Sequence, residues 1–143
     1  MYRRIIVPID GSDVAEQVVP HVRALAISFG ASVVVLSVTP PVPTVAGVPV
    51  ASEERWNADH DAEANPSIER VEAQMRVNGV DAAVERIHGA PAQVIVQRAH
   101  ELGADLITMT THGRSGIRRL ALGSVAEEVI RHAQCPVLLV PSH

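Results

Sequence analysis

The chain has 143 residues, 47% of them hydrophobic but only 2% aromatic, and a formal net charge of −4. That length suits a single domain, expected to span 1–143, whose core is built from Val, Ile, Leu and Ala. The acidic balance argues against a nucleic-acid binder, which neutralises phosphates with a basic surface, and no apolar run approaches the roughly 20 residues that span a bilayer.

One cysteine, Cys135, rules out an internal disulfide, and the opening apolar run stops at Asp10, too soon for a secretory signal. A soluble cytoplasmic protein is therefore expected, with Cys135 packing rather than reacting.

Arg4 to Ile9 reads as a buried first strand that ends at the turn cluster Asp10-Gly11-Ser12, with Pro8, which has no N–H to give a ladder, at its end. A helix capped at Ser12 or Asp13 follows. Val14, Val18, Val22, Leu25, Ala26 and Phe29 recur at helical spacing before Gly30, and Pro20 inside the pattern predicts one bent helix. His21 on it reads as a surface residue. Ser32 to Val38 is a near-continuous apolar run, as in a central parallel strand.

Residues 39–51, with Pro40, Pro41, Pro43 and Pro49, read as an irregular connection. A helix is expected from Ser52, broken at Pro66 and resuming through Ile68, Val71 and Met75 to Gly79. Trp56 within it either covers a ligand or anchors the segment on the domain. Asp81 to His88 reads as a strand whose mixed charges suit a sheet edge, and Pro91 to Leu102 as a helix ended by Gly103.

Ala104 to Thr110 is again of strand length and runs into the glycine-rich segment Thr110 to Gly116. Ser124-Val125-Ala126-Glu127 has capping-box spacing, so a helix is expected from Ser124 with Val125, Val129, Ile130 and Ala133 on one face. Val137 to Val140, between Pro136 and Pro141, is the last strand. Five strands separated by four helical segments predict an α/β fold, an open parallel sheet with helices on both faces.

The stretch from Ala104 to Pro141 reads strand, glycine loop, helix, strand, and its centre suits an anion. A helix N-terminus offers unpaired N–H groups and partial positive charge, and glycines permit close approach. Arg114, Arg118 and Arg119 add cations to the same loop. Turn and capping roles for Gly113, Gly116, Gly123 and Ser124, and solvated arginines, remain the alternative.

Gly113, the nine residues that follow it and Gly123-Ser124 resemble the signature of the universal stress protein family: Gly, two residues, Gly, nine residues, then Gly-Ser or Gly-Thr. Thr110 stands where that signature has its first glycine. Ile6 to Ser12 and Cys135 to Pro141 extend the resemblance to both ends of the chain. It implies a Rossmann-like fold of the adenine nucleotide alpha hydrolase-like kind, strand order 3-2-1-4-5, with strands 1 and 4 flanking the switch point where ligands bind.

The same resemblance implies ATP, with Mg2+, as the ligand. Pro8, Ile9, Asp10 and Val38 would line the adenosine, and Met109, Thr110, Gly113 and Arg114 would border ribose and phosphates. Gly123, Ser124 and Val125 would offer backbone N–H groups and a hydroxyl. A homodimer through Val137, Leu138, Leu139 and Val140 is also implied, giving a stress-response module whose nucleotide state alters its contacts with unknown protein partners. Two alternatives stay open. One is a weak Mg-dependent nucleotide hydrolase, whose chemistry would rest on positioning and Mg2+ because no nucleophile and base stand out. The other is a nucleotide-free interaction protein of the same fold, the reading that Thr110 favours.

Overall fold

The computed structural model describes residues 1–112 and 122–142. Five parallel strands form one sheet: β1 (Arg4–Pro8), β2 (Ser32–Thr39), β5 (Ala82–His88), β6 (Leu106–Thr110) and β7 (Val137–Val140), in the order β5-β2-β1-β6-β7. Counted along the chain those strands are 3-2-1-4-5, as expected. Alternation in β1 explains its central place: Ile5 and Val7 face one core and Ile6 faces the other, all fully buried.

The first core is covered by α1 (Asp13–Glu16), α2 (Val19–Phe29) and α3 (Glu53–Val77), the second by α4 (Pro91–Glu101) and α5 (Ser124–His132). The expected bent helix is two helices. Pro20 sits in the first turn of α2, where a missing N–H costs nothing, and the chain breaks before it at Gln17 and Val18. Gly30 closes α2 at φ 65, the left-handed conformation expected of it.

The connection read as irregular carries a small antiparallel hairpin, β3 (Thr44–Val45) with β4 (Val48–Pro49), turned by Ala46 and Gly47, both at positive φ. Ser52 caps α3 by accepting from the Arg55 N–H at 3.2 Å, but the expected break at Pro66 is absent. α3 runs unbroken because Ala64, Ser67, Ile68, Val71 and Met75 fix one face against the core while Pro66 points to solvent.

α5 starts at Ser124, yet its cap is Gly123 and the expected capping box does not form. Glu127 turns its carboxylate to Arg131, 2.7 Å away and one turn on, instead of reaching back. Ala126 and Val129 carry the buried face, and Ile130, expected on it, is 42% exposed. No helix among the described residues is long and apolar enough to cross a membrane.

α1 is too short to hold itself and is tied to α3 by a two-pronged contact, Arg70 Nε and Nη2 donating to the Glu16 carboxylate at 3.1 and 2.8 Å. That contact holds the Glu16 carboxyl below its ordinary 4.5, with partial burial opposing. Its stabilisation is therefore present above pH 4.5 and is lost as pH falls through the lowered value. Glu16→Gln should lower the thermal midpoint by about 1–2 °C near neutral pH, and the gap from wild type should close under acid in a melting series.

Candidate functional site

β1 and β6 pair only at their amino halves, Ile5 with Leu106 and Ile6 with Ile107. Beyond that β1 stays with β2 through Pro8, extended by the Ile9 N–H to Leu36 O at 2.9 Å, while β6 stays with β7 through Thr110 and Val140. The strands part, and a cavity of 320 Å³ opens at their carboxyl ends.

Its walls come from seven elements. Pro8, Ile9 and Asp10 follow β1; Leu36 to Pro40 end β2; Met109, Thr110 and Thr111 end β6; and Ser124, Val125 and Ala126 form the first turn of α5. α3 adds His60 and Ala64, α4 adds Pro91 and Ile95, and Ala15 comes from α1. The lining is mostly apolar, with the buried hydroxyls of Ser37, Thr39 and Thr110 set among aliphatic side chains, the usual composition of a small-molecule site.

Asp10 also has a local task. Its Oδ1 accepts from the Ser12 N–H at 2.9 Å and the Ser12 hydroxyl at 2.5 Å, and Ser12 Oγ in turn accepts from the Ala15 N–H at 3.1 Å. The turn that launches α1 is therefore built on Asp10, which also lines the cavity. Gly11, at φ 89, supplies the bend.

Thr110 remains extended in β6, 6% exposed, and its hydroxyl donates to His112 O at 2.7 Å. Past it, the Thr111 N–H donates to Val140 O at 3.0 Å and the Gly123 N–H to Thr111 O at 2.8 Å. Gly123 thus sits behind the cavity wall, its N–H, expected among the phosphate donors, already engaged. A Cβ there would lie 3.1 Å from Thr111 O and 3.5 Å from His112 Cα, close enough that the Thr111 backbone would have to give by a few tenths of an ångström. Ser124 and Val125 follow in the first helical turn, where N–H groups have no intrahelical acceptor.

Of the residues singled out from sequence, Pro8, Ile9, Asp10, Val38, Met109, Thr110, Ser124 and Val125 line this one cavity. Gly113 and Arg114 lie outside the described residues, as do Gly116, Arg118 and Arg119. The wall from α3 and α4 was not anticipated. Pro91 at a helix start directly after a strand was its only local signal; His60 had none. Trp56 is not in the wall. Its Nε1–H donates to Pro40 O at 2.7 Å and its ring lies 4.2 Å from that of His60, so it anchors α3 to the end of β2.

Beside the cavity Thr111 Oγ1, His112 Nδ1 and Ser142 Oγ lie 3.1 to 3.3 Å apart, joining the ends of β6 and β7. Burial, then the neighbouring Asp105 charge, push the half-buried Cys135 thiol up, away from the reactive thiolate. Among the described residues no group of three or more His, Cys, Asp or Glu side chains is placed to hold a metal.

The family model described as the universal stress protein family matches residues 1–141. A universal stress protein of Methanocaldococcus jannaschii is 38% identical over 143 residues, covering 98% of this chain and 82% of that protein. The solved structure of a second M. jannaschii universal stress protein superposes with a TM-score of 0.80 at 27% identity, covering 100% of this chain and 98% of that one. One from Archaeoglobus fulgidus, in complex with dAMP, gives 0.70 at 26% identity, covering 96% and 97%.

Because Gly123 is packed against backbone, Gly123→Val should destabilise the fold by about 1–3 kcal/mol in urea titration without any ligand present. A variant as stable as wild type would mean that the β6 to α5 link has room.

Proposed function

This chain belongs to the universal stress protein family, and on that premise we propose that it binds ATP, with Mg2+, at the carboxyl ends of β1 and β6. The nucleotide state then regulates its contacts with other proteins. The observation that carries this reading is the parting of β1 from β6 over a 320 Å³ cavity at the switch point of the sheet, the place where open α/β sheets take ligands.

The volume suits a nucleoside more than a whole triphosphate, which divides the ligand in a definite way. Ile9, Leu36, Val38 and Met109 offer apolar surface to a base, and Asp10 is an acceptor for ribose hydroxyls. The phosphates extend towards the first turn of α5, where Ser124 and Val125 bring N–H groups and the positive end of the helix dipole. Mg2+ then arrives on the phosphates, since it is commonly held by phosphate oxygens, water and few protein ligands. The dAMP complex of the A. fulgidus relative supports an adenine nucleotide in this fold.

Calorimetric titration of ATP and Mg2+ into the protein should give micromolar binding. Ser124→Glu supplies the control, because an acid in the first turn favours the helix but repels phosphate; affinity should fall at least about tenfold with the thermal midpoint unchanged or raised. No heat with ATP, ADP or AMP would overturn the reading in favour of a nucleotide-free interaction protein, which Thr110 in the place of a signature glycine favours.

The regulatory unit is a homodimer paired through β7. That strand ends the sheet, so half of its backbone groups face outward, and its sequence Val-Leu-Leu-Val carries no charge to discourage a partner strand. Pro136 and Pro141 limit the pairing to a short, defined register. Sedimentation velocity at micromolar concentration should show a dimer, and a single monomer boundary would overturn this assembly.

A further inference from the structure

The cavity has a base end and a phosphate end only if something in its wall distinguishes them. α5, with Ser124 and Val125, follows β6 on one side of β1, whereas α3 packs on β2 and β5, on the other side. A nucleotide with its phosphates at α5 therefore presents its base to the β2 side. The titratable side chain that α3 places there is His60.

The tautomer of the neutral ring is set by its partner. His60 Nδ1 lies 2.9 Å from Trp56 O, one helical turn back, and a carbonyl oxygen can only accept, so Nδ1 carries the hydrogen. In the neutral imidazole Nε2 then holds a lone pair and accepts. The ring is also held in place: it lies against Trp56, with centroids 4.2 Å apart, and Trp56 is itself pinned through Nε1 to Pro40 O at 2.7 Å. Pro40 and Val38 line the same end of the cavity. The result is an oriented ring, with its acceptor at Nε2, in a wall it shares with Val38 and Pro40 and with the hydroxyls of Ser37 and Thr39.

Resting on the adenine nucleotide reading above, we propose that His60 is the specificity-determining residue for the base. Nε2 accepts from the exocyclic 6-amino group of adenine and disfavours a 6-oxo purine, whose oxygen would meet the Nε2 lone pair with no hydrogen between them. Trp56 is the positioning residue that aims it. Discrimination by an unfavourable pairing of acceptors needs no further contact to the ligand.

ATP and inosine triphosphate test this, because they share ribose and phosphates and differ at position 6. Competitive calorimetry on the wild-type protein should show ATP bound about tenfold more tightly, the worth of one hydrogen bond and the clash it replaces. In His60→Leu the ratio should collapse to within about twofold, ATP losing its hydrogen bond and inosine triphosphate losing its clash, and His60→Gln, whose amide oxygen still accepts, should keep part of the preference. Equal wild-type affinities, or an undiminished preference in His60→Leu, would overturn the role of His60 while leaving ATP binding intact. Absence of binding by either nucleotide would instead overturn the nucleotide reading, and this inference with it.

Discussion

The parting of β1 from β6 is the feature on which the rest of the molecule depends. A strand buried on both faces needs both neighbours, and β1 has them at Ile5 and Ile6, where β2 and β6 bond it from either side. The Thr108 hydroxyl, fully buried, adds one more contact to Ile6 O at 3.3 Å. After that point each half keeps its own partner. The helix that follows β1 lies on one face and the helix that follows β6 on the other, so the cavity is a consequence of topology.

This explains why much of the site was legible in the sequence. Short apolar runs that stop at turn residues mark the carboxyl ends of β1, β2 and β6, and the family resemblance, which implies the strand order, is what pointed to Pro8, Ile9, Asp10, Val38, Met109 and Thr110, all of which line the cavity. What was not legible depends on distance in sequence. His60 and Ala64 reach the cavity because α3 crosses over the end of β2, and that path is set by Trp56 bonding Pro40 and by the buried stripe from Ala64 to Met75. Local rules failed where two were in competition. Pro20 serves a helix start as well as a kink, Pro66 is overridden by packing on the opposite face, and Glu127 had Arg131 nearer than a cap.

Two residues that carry the family resemblance have structural duties that precede any ligand. Gly123 is accounted for by its contact with Thr111, and Asp10 by the turn it builds with Ser12. Their presence alone therefore says little about nucleotide, and the weight of the functional reading moves to the cavity and to the first turn of α5. Thr110 fits the same logic. A β-branched residue is at ease in an extended strand, and its hydroxyl closes on His112 O, so this chain builds the end of β6 without the freedom a glycine there would give.

The two edges of the sheet complete the contrast between what the fold requires and what it leaves for other molecules. β5 carries Glu85, Arg86 and His88; Arg98 from α4 grips Glu85 with two bonds of 2.9 Å, and Arg86 reaches Asn65 on α3. Charges fixed in this way on an edge strand discourage a foreign strand, because pairing would strip them of water. β7 has no such protection: all four of its residues are aliphatic, and only Val140 is buried. Thr111 N–H and Ile107 N–H bond Val140 O and Pro136 O, so alternate residues of β7 already face β6 and the intervening ones, Val137 and Leu139, direct their backbone groups outward. One edge is closed by charge and the other is open by sequence. In the proposed homodimer, growth from that edge alone stops at two copies, since the second β7 covers the first.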